Sequence, residues 1–271
     1  MAAKNFKPLF WSKYIQRELN KDLILANFCN YEFEGEVKEG ARLKIVGAVR
    51  PTVKKYVPYQ DIEIEQLKDN SQFLDIDQAD YFAFECDDID KAQTMKNWMS
   101  VSMDEAKTAL AEKADAYVGS LASKAKHKLA SKAVTKDNAT DLIDDALTIL
   151  YKNNVKTNEE LQLACSPDFY RYAKNGLTEV YTDNVEMIRK GVVGKYSNAL
   201  VKISNNLYND GTDDYNMLRT KKAIAFANAI NKVETDRKEK GFADIVKGLH
   251  VYGAKIQRPE QLCVIRTHKS A

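Results

Sequence analysis

The longest regular pattern in this chain runs from Asp88 to Ser131 and reads DIDKAQTMKNWMSVSMDEAKTALAEKADAYVGSLASKAKHKLAS. Apolar and small residues recur there at steps of three or four, close to the 3.6 residues of a helical turn. They are Ala92, Met95, Met99, Met103, Ala106, Leu110, Ala114, Tyr117 and Leu121. The stretch has no proline and is rich in Ala, Lys, Glu, Met and Leu, which favour helices. It predicts one helix over residues 88–131.

The predicted helix is long for a chain of this size. Forty-odd residues would form a rod of roughly 60 Å at 1.5 Å per residue. Aspartates stand near its start and lysines near its end, an order that complements the helix dipole. Because so long a rod cannot lie wholly inside a compact domain, we expect it to brace the other parts of the molecule.

Composition narrows the protein class. Of the 271 residues, 44% are hydrophobic and 30% charged, as in ordinary globular proteins. The net charge of +2 is no global polycation, so binding to nucleic acid would need a local patch. Four widely spaced cysteines (29, 86, 165 and 263) indicate buried, reduced thiols rather than a zinc site. Without a signal peptide or an apolar run of ~18–20 residues, we expect a soluble, cytoplasmically made protein with no membrane partner.

After residue 30, apolar residues recur at every second position instead of every third or fourth, which indicates a β region. Residues 31–37 and 43–49 alternate in polarity, and Gly40 lies in the short connection between them. This pattern predicts a β-hairpin, and residues 61–65 predict a further strand. The whole segment 31–67 is expected to be an extended arm with a small core, which needs support from a neighbour to be stable.

The polar face of this hairpin is its most informative feature. A long charged hairpin is costly to order alone, and contact with another subunit would offset that cost. We therefore predict that the charged side chains make inter-subunit contacts. They are Glu34, Glu36, Lys38, Glu39, Arg42 and Lys44.

The remainder of the chain predicts a mixed α+β structure. Residues 140–153 have an amphipathic helical pattern, and Ser166 before Pro167 is typical of a helix start. Strand candidates are residues 78–86, 200–204, 250–256 and 261–265. Residues 223–234 suit a helix by spacing, but the run is too short to decide.

Catalytic chemistry is poorly supported. The chain has three histidines, and only His250 lies in an apolar context, where a packed, hydrogen-bonded role is the usual one. Nucleotide-binding, hydrolase and metalloprotease motifs do not occur. The acidic run 210–214 lacks the ligand spacing of a calcium loop and indicates a turn. We expect no enzyme activity, no metal and no cofactor.

Lysines concentrate after the middle of the predicted helix, at positions 124, 126, 128, 132 and 136. Two interpretations remain open on the residues alone. The lysines could face phosphates, or they could form a solvated helix end that complements the dipole. Aromatic stacking partners are absent from this segment, which favours the second interpretation.

Several segments taken in order resemble the major capsid proteins of tailed phages. The resemblance is carried by Phe10–Phe28, Tyr31–Thr52, Leu74–Phe84, Asp87–Ala92 and Phe242–Ile256, which are distributed in the same order along nearly the whole chain. It implies the Hong Kong 97-like fold, an α+β fold with an N-arm, an extended β-hairpin loop, a peripheral domain with a long spine helix, and an axial domain.

This resemblance also implies a division of the chain. Residues 1–30 would form the N-arm, 31–67 the extended loop, and 68–134 the peripheral domain with the spine helix at 88–131. Residues 135–235 would form the axial domain, and strands in 236–271 would return to the peripheral domain. It further implies that residues 223–233 form a strand rather than a helix.

The function implied is that of a structural subunit of an icosahedral phage head. The chain would assemble with itself into hexamers and pentamers that enclose double-stranded DNA, bound without sequence preference. Lys124, Lys126, Lys128 and Lys132 would be candidates to face that DNA. We expect a portal partner. Because the chain has no room for a built-in scaffolding segment, it would resemble either a form with a separate scaffold protein or a trimmed mature product, and Met1 favours the separate scaffold. Assembly would take place in the host cytoplasm, and the product would reside in the virion.

Three alternatives remain. An encapsulin-like compartment shell would share the fold but enclose a cargo enzyme. A helical adaptor would use the Met/Ala stripe of the long helix to bind a partner helix and would stay a small oligomer. An enzyme with an unrecognised site is disfavoured by the few histidines and the missing motifs.

Overall fold

The computed structural model describes residues 23–32, 42–47, 53, 55–56, 70–87, 98–174 and 192–269. Three helices and twelve strands lie in these ranges. The helices are α1 (Trp98–Ser120), α2 (Ala139–Lys152) and α3 (Pro167–Ala173). The first strands are β1 (Arg42–Gly47), β2 (Asn70–Asp75), β3 (Gln78–Asp87), β4 (His127–Lys128), β5 (Lys132–Val134) and β6 (Leu161–Cys165). They are followed by β7 (Val192–Tyr196), β8 (Ala199–Ile203), β9 (Asp214–Thr220), β10 (Ile224–Arg237), β11 (Ala243–Ile256) and β12 (Leu262–Lys269).

Helix α1 follows the predicted stripe but is shorter than predicted. Met103, Leu110 and Ala114 are buried on the side that faces the protein. The prediction that the helix continues to Ser131 is wrong: α1 ends at Ser120, and a 3₁₀ turn occupies Leu121–Lys124. At 23 residues, α1 is about 35 Å long. The predicted start, residues 88–97, lies outside the described residues.

The helix ends because the residues after it pair with a strand. Strands β4 and β5 both run parallel to β12, so their backbone groups find partners in a sheet instead of in further helical turns. Helix-favouring side chains are a weak influence beside such tertiary pairing. The end of α1 also lies against the loop at Asn206, whose carbonyl oxygen would be 2.3 Å from a Cβ at Gly119. Only glycine fits this approach.

A long antiparallel sheet in the order β10-β11-β3 packs on α1. Strands β10 and β11 have 14 residues each, about 46 Å of extended chain. One face of this sheet meets the helix, with Phe82, Phe84 and Val246 against Met103. Gly248 lies directly beneath the Phe82 ring, where a Cβ would be 2.1 Å from the nearest ring carbon. This contact lets the aromatic ring cross the neighbouring strand.

The ambiguous segment 223–234 is mostly strand. Ala223 ends a 3₁₀ turn, and the segment continues as β10, in agreement with the resemblance. Residues 224–227 are all fully buried, so both faces of this part of the strand are covered. A continuous apolar run of this kind does not distinguish a strand from a helix by its period.

The second large sheet holds seven strands within the described residues, in the order β4-β12-β9-β6-β8-β7, with β5 also on β12. Helix α2 covers it with a buried stripe that includes Leu142, Ile143 and Leu150. Helix α3 begins at the predicted signal: the Ser166 Oγ accepts a hydrogen bond from the Phe169 amide, and Pro167 occupies the first turn.

The remaining sheet consists of β1 and β2. The predicted strand at 43–49 is found over 42–47, but it pairs antiparallel with residues 70–75 and not, in the described part of the chain, with 31–37. Most of 31–37 lies outside the described residues, and Tyr31 is not in a strand. Alternation predicts a strand and its buried face; its partner depends on distant sequence. Leu43, Ile45 and Leu74 form a small core with Ala225 and Ala227 of β10.

The predicted domain bounds do not coincide with the sheets. Position 235 falls inside β10, so the sheet that packs on α1 begins earlier than the predicted end of the axial domain. The C-terminal strands divide between two sheets. Strand β11 joins β3 beside α1, whereas β12 joins β9 in the seven-stranded sheet.

Candidate interaction surfaces

Two buried charged residues hold the segment 23–30 between α1 and the seven-stranded sheet. Asp115 on α1 accepts hydrogen bonds from the amides of Ile24 (2.8 Å), Leu25 (3.1 Å) and Ala26 (2.9 Å). These three amides precede or open a 3₁₀ turn, so the carboxylate lies where the backbone carries partial positive charge. Asp115 therefore fixes the position of the segment relative to the helix.

Arg219 on β9 binds the same segment from the opposite side. Its Nη1 donates to the carbonyl oxygen of Phe28 (2.8 Å), and its Nη2 donates to Leu25 and to the Gln162 side chain (3.2 Å). Arg219 is fully buried, and its guanidinium lies 5.5 Å from the Phe28 ring centroid. Burial raises the pKa of Asp115, while the backbone hydrogen bonds and Arg219 act in the opposite direction. The path of the N-terminal segment is thus set by polar contacts inside the core.

Sequence reasoning missed both residues. Asp115 stands beside Ala114 on the apolar stripe, and Arg219 follows Met217 and Leu218 in a buried strand. A charged residue at a core position of a periodic pattern is the signal that could have indicated them.

The structure describes two of the six predicted inter-subunit contact residues. Arg42 lies on the exposed side of β1, where its Nε is 2.5 Å from Asp75 Oδ1 and its guanidinium is 5.4 Å from the Phe73 ring centroid. Lys44 is also exposed. The other four lie outside the described residues: Glu34, Glu36, Lys38 and Glu39.

The predicted lysine group is exposed but is not a helix face. Lys124 ends the 3₁₀ turn, and Lys126 lies 3.2 Å from Glu260 Oε1. Lys128 and Lys132 belong to β4 and β5, opposite Val264 and Thr267 of β12. Three residues along a strand correspond to about 10 Å. The group therefore follows the outer edge of the seven-stranded sheet, and its placement on a helix end was wrong.

The predicted packed role of His250 agrees with the structure. Its ring is fully buried, Nε2 lies 3.0 Å from Asn228 Oδ1, and the ring centroid is 4.6 Å from that of Tyr252. Desolvation lowers the pKa of His250 to about 4, and the nearby Asp80 carboxylate offsets this only in part. The Tyr252 hydroxyl donates to Asp80 (2.7 Å), and burial raises its pKa. The ring is neutral at pH 7 and acts as a packing residue.

A serine, a histidine and an aspartate meet where β12 ends, but their geometry is not that of a catalytic relay. Ser131 Oγ and Asp213 Oδ1 lie 3.0 and 3.2 Å from the same ring nitrogen, Nδ1 of His268. A relay requires the carboxylate on one nitrogen and the nucleophile on the other. Ser131 here donates to Asp213 (2.7 Å) and links two chain segments.

The acidic run 210–214 is a turn over residues 210–213, as predicted, and Asp214 already begins β9. Asp210 Oδ1 accepts from the amides of Thr212 (2.9 Å) and Asp213 (2.7 Å), and Gly211 has a positive φ of 93°. Within the described ranges, no three His, Cys, Asp or Glu side chains are grouped to hold a metal ion. In the same ranges no helix is long and apolar enough to cross a membrane. The four cysteines are free and buried.

Comparisons with known proteins give matches only at the level of structure. No protein-family model matches the sequence, and no curated protein matches it. A structure from Mycobacterium phage Che8 is similar over 90% of both chains, with 28% identity and a TM-score of 0.72. The capsid structure of Cyanophage P-SCSP1u covers 86% of this chain and 85% of its own, with 18% identity and a TM-score of 0.65.

A virus-like particle from Pyrococcus furiosus is also similar, at lower scores. It covers 95% of this chain and 98% of its own, with 11% identity and a TM-score of 0.59. The fold described above is therefore shared with structures of a phage capsid and of a virus-like particle.

Proposed function

We propose that copies of this chain, a tailed-phage major capsid protein with the Hong Kong 97-like fold, assemble into the icosahedral shell of a phage head. The observation that carries this proposal is the Che8 match, which extends over nine-tenths of both chains at 28% identity. A match over one helix or one sheet would be weak support, whereas a match over nine-tenths of both chains is strong support. The finer proposal is a shell of hexamers and pentamers.

The arrangement of α1 suits a subunit that carries load. The helix lies on the long β10-β11-β3 sheet, and buried residues of both form continuous core clusters. Interiors packed in this way deform little. A stiff subunit keeps its contact surfaces in a fixed relation, which a closed shell requires.

We further propose that the arm predicted at 31–67 contacts a neighbouring subunit. Its described base, β1, is joined to the body through β2 and the small core on β10. Val53 and Tyr56, within the chain between β1 and β2, are 91% and 70% exposed. A neighbouring subunit that covered these two apolar side chains would remove them from water, which favours such a contact.

The lysines along the sheet edge are proposed to face packaged double-stranded DNA. All four are exposed, and Lys126 has an acidic neighbour, Glu260, so the group carries a moderate positive charge. Contacts of this kind neutralise phosphates without reading sequence and weaken as salt rises. The portal and a separate scaffold protein complete the proposed partners, with assembly in the host cytoplasm.

The contents of the particle separate this proposal from its main alternative. The similarity to the Pyrococcus furiosus virus-like particle favours, as a second candidate, a compartment shell of the same fold. Particles isolated from the native source should be treated with nuclease, opened and analysed. Double-stranded DNA protected from nuclease supports the phage head; an enclosed protein without DNA would favour the compartment.

Deletion of residues 36–44 tests the proposed arm contact. The deletion removes Leu43 from the small core on β10 but leaves both large cores intact, so the subunit should still fold but should not close shells. Circular dichroism would check the fold and electron microscopy the particles. Shells of normal size from this deletion would contradict the arm contact.

A further inference from the structure

The face of the β10-β11-β3 sheet that turns away from α1 carries an open groove of about 370 Å³. Along each strand, the side chains on this face alternate with those that reach the helix. The lining side chains on this face are Tyr81, Ala83, Lys232, Glu234, Lys247 and Leu249. The groove therefore lies on a sheet whose other face is part of the core.

The floor of the groove is apolar and accessible. Ala83 lies directly opposite Lys247, and Tyr81 lies opposite Leu249. The small Ala83 side chain leaves a depression beside the Tyr81 ring, which is 77% exposed. An apolar depression with charged residues at its rim is typical of a site for one bulky apolar group.

The same chain presents such a group. Phe242 stands in the turn between β10 and β11 and is 80% exposed. The turn is held by a hydrogen bond from the Lys238 amide to the Ala243 carbonyl oxygen (3.0 Å) and by Lys238 Nζ on Glu85 (2.6 Å). Because the turn is already ordered, docking of Phe242 would cost little conformational entropy.

Phe242 cannot enter the groove of its own chain. Along β11, the groove residues Lys247 and Leu249 are five to seven positions beyond Phe242, which corresponds to roughly 20 Å. A phenylalanine side chain spans far less than this distance. The occupant must come from another molecule, and a second copy carries the matching side chain.

Charges at the two sites are compatible with this pairing. Glu239 lies in the same turn as Phe242 and has no ion pair within the part of the chain that the structure describes. At the groove rim, Lys232 lies 3.5 Å from Glu234 and Lys247 lies 2.9 Å from Asp236, and both lysine side chains remain at least half exposed. Because Lys240 follows Glu239 in the turn, both surfaces carry charges of both signs, and the contact brings no strong like-charge repulsion.

We propose that Phe242 of one copy inserts into the groove over Ala83 of a second copy, in a head-to-tail contact. Such a contact uses different surfaces on the two molecules and closes when the copies are related by rotation. This inference rests on the proposed shell function, and it assigns one specific contact within the shell.

Engineered disulfides test the contact directly. All four native cysteines are buried, so a variant with Phe242→Cys and Ala83→Cys places two new thiols on the surface. A disulfide needs Cα atoms within about 7 Å, which excludes a bond within one chain. Assembled particles of this variant, after mild oxidation, should give a ladder of covalent multimers on a non-reducing gel.

Two further double-cysteine variants serve as controls for this experiment. Phe242→Cys with Lys113→Cys, on the exposed side of α1, should give no ladder. A ladder from Tyr56→Cys with Ala83→Cys, and none from Phe242→Cys with Ala83→Cys, would assign the groove to the arm and overturn the proposal. Particles without any ladder would overturn it while the shell function stands. A wild-type chain that never forms particles would overturn the shell function and this contact with it.

A second pair of variants measures what the contact contributes. Phe242→Ser should raise the protein concentration needed for assembly by about tenfold, the effect expected for loss of one buried aromatic side chain. Phe242→Leu keeps an apolar group and should stay within about twofold of wild type. Equal assembly by the serine variant and wild type would contradict the proposal.

Discussion

At the scale of single residues, the fold depends on a few polar groups inside the core. Asp115 and Arg219 bind one backbone segment from two elements, and His250 is neutral and packed on Tyr252. Each polar group would be costly to bury without its partners. The stability of the subunit should therefore respond to changes at these positions far more than at exposed charges.

His250 gives the unassembled subunit a defined sensitivity to acid. Its pKa is lowered to about 4 in the folded protein and is about 6.5 in the unfolded chain. Between these values the unfolded chain binds a proton that the folded protein does not, so stability falls as pH falls from about 6.5 to 4. The loss reaches about 3 kcal/mol at most. Urea unfolding across this pH range measures it.

The variant His250→Gln should flatten the acid dependence, since glutamine does not titrate and can still hydrogen-bond to Asn228. Its stability at pH 7 will be lower, but the slope between pH 6.5 and 4 should decrease. An unchanged slope would show that other groups cause the acid sensitivity.

Replacement of Arg219 should destabilise the subunit strongly. Arg219→Met keeps the volume but leaves the carbonyl oxygens of Leu25 and Phe28 and the Gln162 side chain without their donor. Loss of one partner from a buried charged network costs about 3–5 kcal/mol. The matched control is Arg42→Met, whose exposed ion pair with Asp75 contributes at most about 1 kcal/mol. Chemical denaturation measures the free energy of unfolding of both variants. Equal losses of this free energy would contradict the role of Arg219 in holding the segment 23–30.

At the scale of elements, the helix and the strands were predicted more reliably than their ends and partners. The stripe through Met103, Leu110 and Ala114 predicted α1 because burial of one helix face imposes that spacing. The end at Ser120 could not be read from the sequence, since it depends on pairing of β4 and β5 with β12. For the same reason, the alternation in 43–49 predicted a strand but not its partner at 70–75.

At the end of α1, replacement of glycine by alanine should change the stability in the direction opposite to the usual one. Glycine to alanine inside a helix normally stabilises by about 1 kcal/mol. At Gly119 the new Cβ would be 2.3 Å from a backbone oxygen of Asn206, which cannot move as a side chain could. Gly119→Ala should therefore destabilise the subunit. Ala116→Gly, at an exposed position of the same helix, should cost about 1 kcal/mol. Stabilisation by Gly119→Ala in thermal unfolding would contradict the close contact.

At the scale of the whole molecule, ordered resemblance predicted the fold better than any single pattern. The resemblance predicted a strand at 223–233, where the spacing suited a helix, and the structure has a strand at 224–237. The contact residues remain predictions, since four of the six charged arm residues lie outside the described ranges. For the lysine group, the structure replaces the expected helix face with a sheet edge. The periodicity of a sequence shows which side chains face the core of its own fold. It does not show which exposed side chains contact another copy of the chain.

The lysine group along the sheet edge leads to a prediction about the assembled particle. The combined substitution of Lys124, Lys126, Lys128 and Lys132 by Gln should leave the fold intact, because these side chains are exposed. Shells should form, but release of packaged DNA on heating should begin at lower temperature, with a weaker dependence on salt. A matched control replaces four exposed lysines elsewhere: Lys113, Lys156, Lys195 and Lys221. Equal DNA retention by both variants would contradict a DNA-facing role.

The central claim is that this chain forms a closed shell, and electron microscopy of the protein from its native source tests it most directly. The account predicts polyhedral particles whose reconstructed subunit has α1 against the long β10-β11-β3 sheet and DNA inside. The same protein purified alone can remain unassembled if a scaffold is required, so the native material decides. The chain found there only as a monomer or small oligomer, in no particle, would contradict the account.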